Sequence, residues 1–271
     1  MKNKSANEKV SIYLAIFFVL VLVVILVLYF LGIIGHGVAS VDVVLNKEKV
    51  VSYSKNKWKQ VLPNKYSDYD WKKFTVYEEG KEKGVYSLYR GEKEFYLFKQ
   101  KGEQREPVFV TEDSIYVGGR KKSDFIEFDK KDIASEDEKY IKEVLTGNKV
   151  SVNDLSNYIR GYKVISDFDN DNKKETMYVI SNIFSHNVID TAYSIIFIKD
   201  GNKTSYIYKE IIPADNRYAK CSASLLGLLK VDGKNNLQIL TKCSYYSYSD
   251  DTEYGIYQNR YNTYELLLYI K

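Results

Sequence analysis

An uncharged apolar segment near the N-terminus constrains the fold of this chain more than any other feature. Residues 10–34 read VSIYLAIFFVLVLVVILVLYFLGII and contain no charged side chain. A helix needs about 20 apolar residues to cross the hydrocarbon core of a bilayer. We therefore expect a single transmembrane helix at residues 10–34, with the bulk of the chain on one side of the membrane.

The charges before this segment predict its orientation. Lys2, Lys4 and Lys9 precede it and only Glu8 opposes them, whereas the lysines that follow it are distant and offset by acids. Cytoplasmic flanks carry the excess of basic residues, so residues 1–9 are expected to be a cytoplasmic tail and the C-terminal domain extracytoplasmic. A cleavable signal peptide is the alternative, but its apolar region spans only about 7 to 15 residues. The length favours an uncleaved signal anchor in the cell membrane.

Composition favours β structure and disfavours a nucleic-acid partner. The 271 residues include 26 tyrosines and 12 phenylalanines but only 3 prolines, and aromatic residues are enriched in strands. The net charge is +4, from 40 basic and 36 acidic residues that are intermixed. Nucleic-acid binders carry a concentrated basic stripe, so we expect no nucleic acid among the partners.

Beyond the anchor, the sequence predicts three regions. Residues 38–133 alternate apolar and polar side chains between turns, as in a β meander whose sheets have one solvated face. Residues 134–161 predict a helical joint, and residues 162–271 are again rich in β patterns. The expected fold is mostly β, with extracytoplasmic antiparallel sheets arranged as blades or as a sandwich and two short linking helices between them.

Two short helices are predicted in the joint. The first, SEDEKYIKEVLTG, opens with a capping-box pattern formed by Ser135 and Glu138. The second, SVNDLSNYIRG, has Ser151 and Asp154 as capping residues and Gly161 as its end.

The two cysteines, Cys221 and Cys243, flank a predicted hairpin. The intervening residues are apolar, then rich in Asp, Gly and Asn, then apolar again. Folding this segment about Asp232 places the cysteines opposite each other. A disulfide is expected if their Cα atoms lie about 5.5 Å apart. Two buried free thiols are the alternative, which an oxidising exterior disfavours.

The segment DFDNDNKKE crowds carboxylates into one turn. Counting from Asp167, acids occupy positions 1, 3, 5 and 9. Alternate residues of a tight loop can direct their side chains to one centre, and Ca²⁺ takes six to eight oxygen ligands. The predicted metal ligands are the side chains of Asp167, Asp169, Asp171 and Glu175, with the main-chain carbonyl of Lys173.

The spacing distinguishes between families of calcium loop. An EF-hand requires a bidentate Glu at position 12 and helices on both sides, but position 12 is Tyr178 and the flanks are strand-like. The segment instead resembles the calcium loops of FG-GAP and VCBS-type repeats, as in integrin α-subunit propellers, which read Asp-x-Asp-x-Asp-Gly-x-x-Asp/Glu between two strands. Asn172 replaces the glycine, a mild departure because Asn tolerates the left-handed conformation. The resemblance covers about twenty residues and implies Ca²⁺ as a structural cofactor of a β subdomain at residues 162–271.

Two alternatives to this calcium loop remain open. The segment can be an acidic solvated turn neutralised by Lys173 and Lys174. Mg²⁺ fits less well, because it prefers stricter geometry and more water. A weaker echo at LLKVDGKNNLQIL aligns Asp232 with Asp169. It is either a degenerate second unit or a simple Asp-Gly hairpin turn.

No catalytic motif is found in the sequence. His36 adjoins the apolar segment, and His186 lies near Ser185 and Asp190 without a nucleophile motif. The expected function is therefore binding, adhesion or structure at the cell surface, with a protein or glycan partner. The alternatives are an envelope hydrolase that uses paired carboxylates and an anchored subunit of a larger envelope complex.

Overall fold

A computed structural model describes residues 17–24, 40–111, 113–119, 123–155, 159–169, 171–231, 237–245, 252–260 and 263–271. The chain divides into two compact units, Met1–Ala39 and Ser40–Lys271.

In the first unit, residues 17–24 form a helix, α1, whose side chains are exposed. Within the residues that the structure describes, no helix has the length and apolar character that crossing a membrane would take. The remainder of the predicted span 10–34, and the predicted tail 1–9, lie outside the described residues.

The second unit is mostly β, as predicted, and its sheets are antiparallel. Eight strands form the first sheet in the order β3-β2-β1-β8-β4-β5-β6-β7. Their bounds are β1 Val41–Leu45, β2 Lys49–Ser54, β3 Lys57–Gln60, β4 Lys73–Glu78, β5 Lys81–Arg90, β6 Phe95–Lys101, β7 Gln104–Val108 and β8 Ile115–Gly119.

Two five-stranded sheets follow, in the orders β10-β11-β12-β13-β14 and β18-β17-β16-β15-β9. Their strands are β9 Ser123–Phe125, β10 Lys131–Asp132, β11 Gly161–Ser166, β12 Glu175–Ser181, β13 Thr191–Asp200, β14 Lys203–Pro213, β15 Cys221–Val231, β16 Leu237–Tyr245, β17 Thr252–Arg260 and β18 Thr263–Ile270. Short 3₁₀ turns lie at Pro63–Tyr69 and Ala214–Ala219.

The three sheets stack face to face. The β9/β15–β18 sheet lies in the middle and is apolar on both faces. One core joins β1 to the β9/β15–β18 sheet, through residues such as Val43 and Leu229. The opposite face of that sheet packs on the β10–β14 sheet, where Ile196 meets Leu228. Burial on both faces explains the continuous apolar run of β13, which a strand with one solvated face would not show.

Two strands that precede the helical joint pair with strands that follow it. In the β9–β15 ladder, Phe125 pairs with Leu229. In the β10–β11 ladder, Lys131 pairs with Lys163. Each of the two five-stranded sheets therefore takes one edge strand from the chain before the joint.

Helix α2, Ser135–Gly147, has the predicted bounds and buries Ile141 and Leu145 against the β10–β14 sheet. The predicted capping pair is wrong by one position. The N-cap is Ala134, whose backbone N–H donates to the Asp137 carboxylate over 3.2 Å. The capping acid is therefore Asp137 in place of Glu138, because the helix starts one residue beyond its cap.

The carboxylate of Asp137 also joins the helix to the sheet. It accepts hydrogen bonds from the Lys163 ammonium and from the Tyr178 hydroxyl. Burial alone would raise the pKa of this carboxyl, but the donors from Lys163, Tyr178 and Ala134 outweigh it, so the pKa is lowered.

Within the described residues, the second helix, α3, comprises Val152–Leu155. Residues 156–158 lie outside the described residues, and Gly161, predicted as a helix end, is the first residue of β11. Asp154, predicted as a capping residue, is buried and accepts three backbone N–H bonds, from Ile189, Asp190 and Thr191, at 2.8, 3.0 and 2.7 Å. Its role is to hold the segment that leads into β13.

Strands β15 and β16 form the hairpin predicted between the cysteines, and the Cys221 and Cys243 sulfurs lie at disulfide distance with Cα atoms 5.3 Å apart. The cysteines are not directly opposite, as folding about Asp232 predicted. Cys221 pairs with Tyr245 and Cys243 pairs with Ala223, so the sulfurs meet diagonally. A bulge near Leu226 shifts the register. Asp232 itself lies outside the described residues.

Candidate metal centre

The acidic loop connects β11 to β12. Ser166 and Glu175 are the last paired residues of this hairpin, so the segment between them forms its turn. The Phe168 side chain is buried in the core between the two five-stranded sheets. The loop is therefore anchored at its start by an apolar side chain and at its end by a strand.

The turn brings the four predicted side-chain ligands together. One carboxylate oxygen from each of Asp167, Asp169, Asp171 and Glu175 lies within 4.8 Å of the others. Glu175 is buried, Asp167 is half-buried, and Asp169 and Asp171 are exposed. The cluster can hold a metal ion.

Backbone amides shape the loop around these carboxylates. The Asp171 N–H donates to Asp167 and to Asp169, each over 3.1 Å. The Asn172 N–H donates to Asp167 over 3.2 Å, and the Phe168 N–H donates to Glu175 over 2.7 Å. These bonds direct the acidic side chains inward towards one another.

Asn172 occupies the position at which the resembled repeats carry glycine. Its φ is +70°, in the left-handed region. Asn is the non-glycine residue that adopts this conformation at least cost. The replacement of glycine is therefore compatible with the loop conformation.

The electrostatics of the loop reflect its crowding. Burial raises the pKa of Glu175, the charges of Asp169, Asp167 and Asp171 raise it further, and the Phe168 N–H opposes them in part. The pKa of Asp171 is lowered instead, by the backbone N–H and the ammonium of Lys173.

Lys173 contributes a cation to one acid of the cluster. Its ammonium pairs with Asp171 over 3.2 Å, and both side chains are largely exposed. An exposed pair of this kind is worth little in water. The role of the Lys173 carbonyl as a ligand stays a prediction.

Two residues near the loop were missed by sequence reasoning. Thr176 of β12 pairs with Lys199 of β13 in an antiparallel ladder. The next residues along this ladder are Glu175 and Asp200, which therefore lie side by side. The pKa of Tyr264, from β18, is raised by burial and by the charges of Asp169, Glu175 and Asp200. The signal for Asp200 is the pairing of β12 with β13, which an alternating pattern does not reveal.

The donor set can be tested against metal chemistry. All four side chains offer carboxylate oxygens, which suit hard cations such as Ca²⁺, Mg²⁺ and Mn²⁺ in preference to thiolate-seeking metals. The four carboxylates converge closely enough to hold one such cation.

Ser185, His186 and Asp190, which lie near one another in the sequence without a catalytic motif, do not form a hydrogen-bonded group among the described residues. Asp190 accepts hydrogen bonds from the Ser151 hydroxyl and the Asn153 amide, each over 2.8 Å. It anchors α3 to the segment before β13.

Comparison with known protein families, curated proteins and solved structures finds no match to this chain. No relative of known function therefore bears on metal binding at this loop, and the inference of a metal site rests on the loop geometry.

Proposed function

We propose that the chain is a membrane-anchored extracytoplasmic binding or adhesion protein whose exterior domain is stabilised by one Ca²⁺ ion. The proposed metal site rests on the convergence of the carboxylates of Asp167, Asp169, Asp171 and Glu175 within 4.8 Å. Four mutually repelling carboxylates destabilise a turn unless a cation neutralises them. The resemblance to FG-GAP and VCBS-type loops favours Ca²⁺ over Mg²⁺ and assigns residues 162–271 to that kind of subdomain.

The role of this ion is structural. Its ligands lie on the β11–β12 turn, and Asp200 of β13 and Tyr264 of β18 approach the same turn. A bound cation draws these strands together and removes the repulsion among the acids. It stabilises the native state without taking part in a reaction.

The uncharged run at residues 10–34 supports the anchor, and the preceding lysines support the orientation. An exterior location suits the metal, because extracellular calcium modules bind with Kd of about 10⁻⁴ to 10⁻³ M. A weak, largely exposed loop is adequate at such concentrations.

The calcium proposal is tested by thermal unfolding of the purified, detergent-solubilised full-length chain after chelation. Calcium at about 100 times its Kd should raise the free energy of unfolding by about 2.7 kcal/mol, and equal Mg²⁺ should raise it less. Asp169→Asn should lose this response, and Glu265→Gln, an exposed acid on β18, should keep it. An equal response in wild type and Asp169→Asn would refute the site.

Protease added to intact cells tests the location. The C-terminal domain should be degraded while a short N-terminal fragment is protected. Protection of the whole chain until the cells are lysed would contradict the proposed orientation.

One observation bears on an envelope hydrolase as a second candidate. Glu210 and Glu253 line the same concavity, away from the metal loop. However, the pKa of Glu253 is lowered, the opposite of what a general acid requires.

A further inference from the structure

A concavity of about 260 Å³ lies beside the β15–β18 sheet, where β14 passes it. Its floor is formed by one face of the sheet, and Tyr208 and Glu210 of β14 form a wall. The volume accommodates one small organic group. None of the five predicted metal ligands lines it.

Its lining combines aromatic rings with the disulfide. Five tyrosines line it: Tyr208 from β14, and Tyr245, Tyr254, Tyr257 and Tyr269 from the β15–β18 sheet. The Tyr208 hydroxyl lies 3.3 Å from the sulfur of Cys221. The Tyr257 ring packs closely on Gly255, because a Cβ there would lie 2.6 Å from the ring and 3.0 Å from the Thr241 hydroxyl.

A buried carboxylate faces these rings. Glu253 is 5% exposed and accepts hydrogen bonds from the hydroxyls of Tyr269 and Tyr245. Burial would raise its pKa, but these phenols and Lys271 outweigh burial, so the carboxyl is ionised at neutral pH. Among the described residues, its only ion pair is with Lys271 at 3.7 Å, through a side chain that is 82% exposed.

The second carboxylate of the concavity is Glu210. It accepts a hydrogen bond from the Tyr208 hydroxyl over 2.8 Å and pairs with Lys220 over 2.8 Å. The concavity therefore contains two acids: Glu210 pairs with Lys220, which also lines the concavity, and Glu253 pairs with Lys271 over the longer distance of 3.7 Å.

The tyrosines remain neutral, so their rings are available as electron-rich surfaces. Burial and the charge of Glu253 raise the pKa of Tyr269 to about 12, and burial likewise raises the pKa of Tyr257. Neutral aromatic faces attract cations, most strongly where water is excluded, and cages of such rings select alkylated ammonium groups.

We propose that this concavity binds the alkylammonium group of a small organic cation, with the rings around it and Glu253 as its counter-ion. The inference deepens the proposed binding role, and rests on it, by naming the class of ligand. Its residues differ from those of the metal loop, so failure of the calcium experiment and failure of this one are separate results.

Isothermal titration of the full-length chain in detergent micelles, with calcium present, tests the inference. The probes are choline and its uncharged analogue 3,3-dimethylbutan-1-ol, which has the same shape. Choline should bind about tenfold more tightly than the analogue, because charge contributes to both the ring contacts and the carboxylate contact. Equal binding of the two probes, or no binding of choline, would overturn the inference. Glucose serves as a neutral sugar probe in the same titration, and tighter binding of glucose than of choline would also overturn it.

Variants locate the binding to the concavity. Glu253→Gln should weaken choline binding about tenfold by removing the counter-ion, and Glu265→Gln, the same change outside the concavity, should leave it unchanged. Lys271→Gln should tighten binding, because it removes a competing cation. Unchanged binding in Glu253→Gln would refute the assignment.

A second variant guards against a folding defect in Glu253→Gln. Tyr269 is 52% exposed, so Tyr269→Ala should fold, and it should weaken choline binding several-fold because a ring is lost. Binding of wild-type strength in this variant would contradict the aromatic contact.

Discussion

The carboxylates of the helical joint and those of the acidic loop have different surroundings. In the joint, the Asp154 carboxylate accepts hydrogen bonds from three backbone N–H groups. The Asp137 carboxylate accepts hydrogen bonds from an ammonium, a hydroxyl and a backbone N–H. In the loop, the carboxylates of Asp167, Asp169 and Asp171 approach one another and Glu175. Backbone N–H groups donate to the carboxylates in both regions, but in the loop four carboxylates converge and leave a surplus of negative charge.

This difference separates structural acids from ligand acids. A buried carboxylate with a full set of protein donors stabilises the fold directly. The loop carboxylates also accept backbone N–H bonds, but four charges converge there, and we expect a cation from solution to neutralise them. Substitutions should therefore have opposite signs in the two regions when metal is absent.

The largest effect is expected at Asp154. Asp154→Ala leaves three backbone N–H groups without their acceptor and should lower the free energy of unfolding by about 3 kcal/mol. Chemical denaturation with and without calcium measures it, and the loss should be the same in both. Asp190→Asn, at an exposed acid nearby, should cost far less. If the loss in free energy of unfolding caused by Asp154→Ala depended on calcium, the distinction between the joint and the loop would be contradicted.

A smaller effect, of about 2 kcal/mol at neutral pH, is expected for Asp137→Asn. The pKa of Asp137 is lowered in the folded state. Its contribution is therefore complete above the ordinary pKa of an aspartate and is lost as pH falls through the folded pKa. Denaturation curves at several pH values should show the difference between wild type and variant shrinking in acid.

The capping assignment supplies the control for Asp137. Ser135→Ala should be nearly neutral, because Ser135 lies inside the helix and the capping acceptor is Asp137. A loss at Ser135 as large as that at Asp137 would restore the capping pair inferred from the sequence.

The smallest effect is expected at Asp169 in the chelated protein. Asp169→Asn should raise the melting temperature by about 1 °C, because it relieves repulsion in an exposed cluster. Scanning calorimetry in excess chelator measures this rise. A clear fall in melting temperature would show that Asp169 stabilises the loop without metal, as Asp154 stabilises the joint.

Local patterns in the sequence predicted local structure well. The bounds of α2, the β15–β16 hairpin and the convergence of the acidic loop follow from helix periodicity, turn composition and carboxylate spacing. Each of these features is determined by residues within about twenty positions of one another.

Features that depend on distant residues could not be predicted in this way. The donors to Asp154 lie beyond residue 188, and the bulge near Leu226 shifts the cysteine register without a marker in the sequence. The tyrosine-lined concavity combines strands β14 to β18. No periodicity shows that Tyr208 and Tyr269 face the same space.

The pairing of β9 with β15 has a consequence for how the protein is made. Phe125 finds its partner Leu229 only after the intervening residues have been synthesised. Among the described strands, β9 therefore has no pairing partner until β15 has been synthesised, and such long-range pairing is slow and prone to aggregation. The β domain is expected to fold as one unit after synthesis, so severing the chain at the helical joint should yield two insoluble fragments.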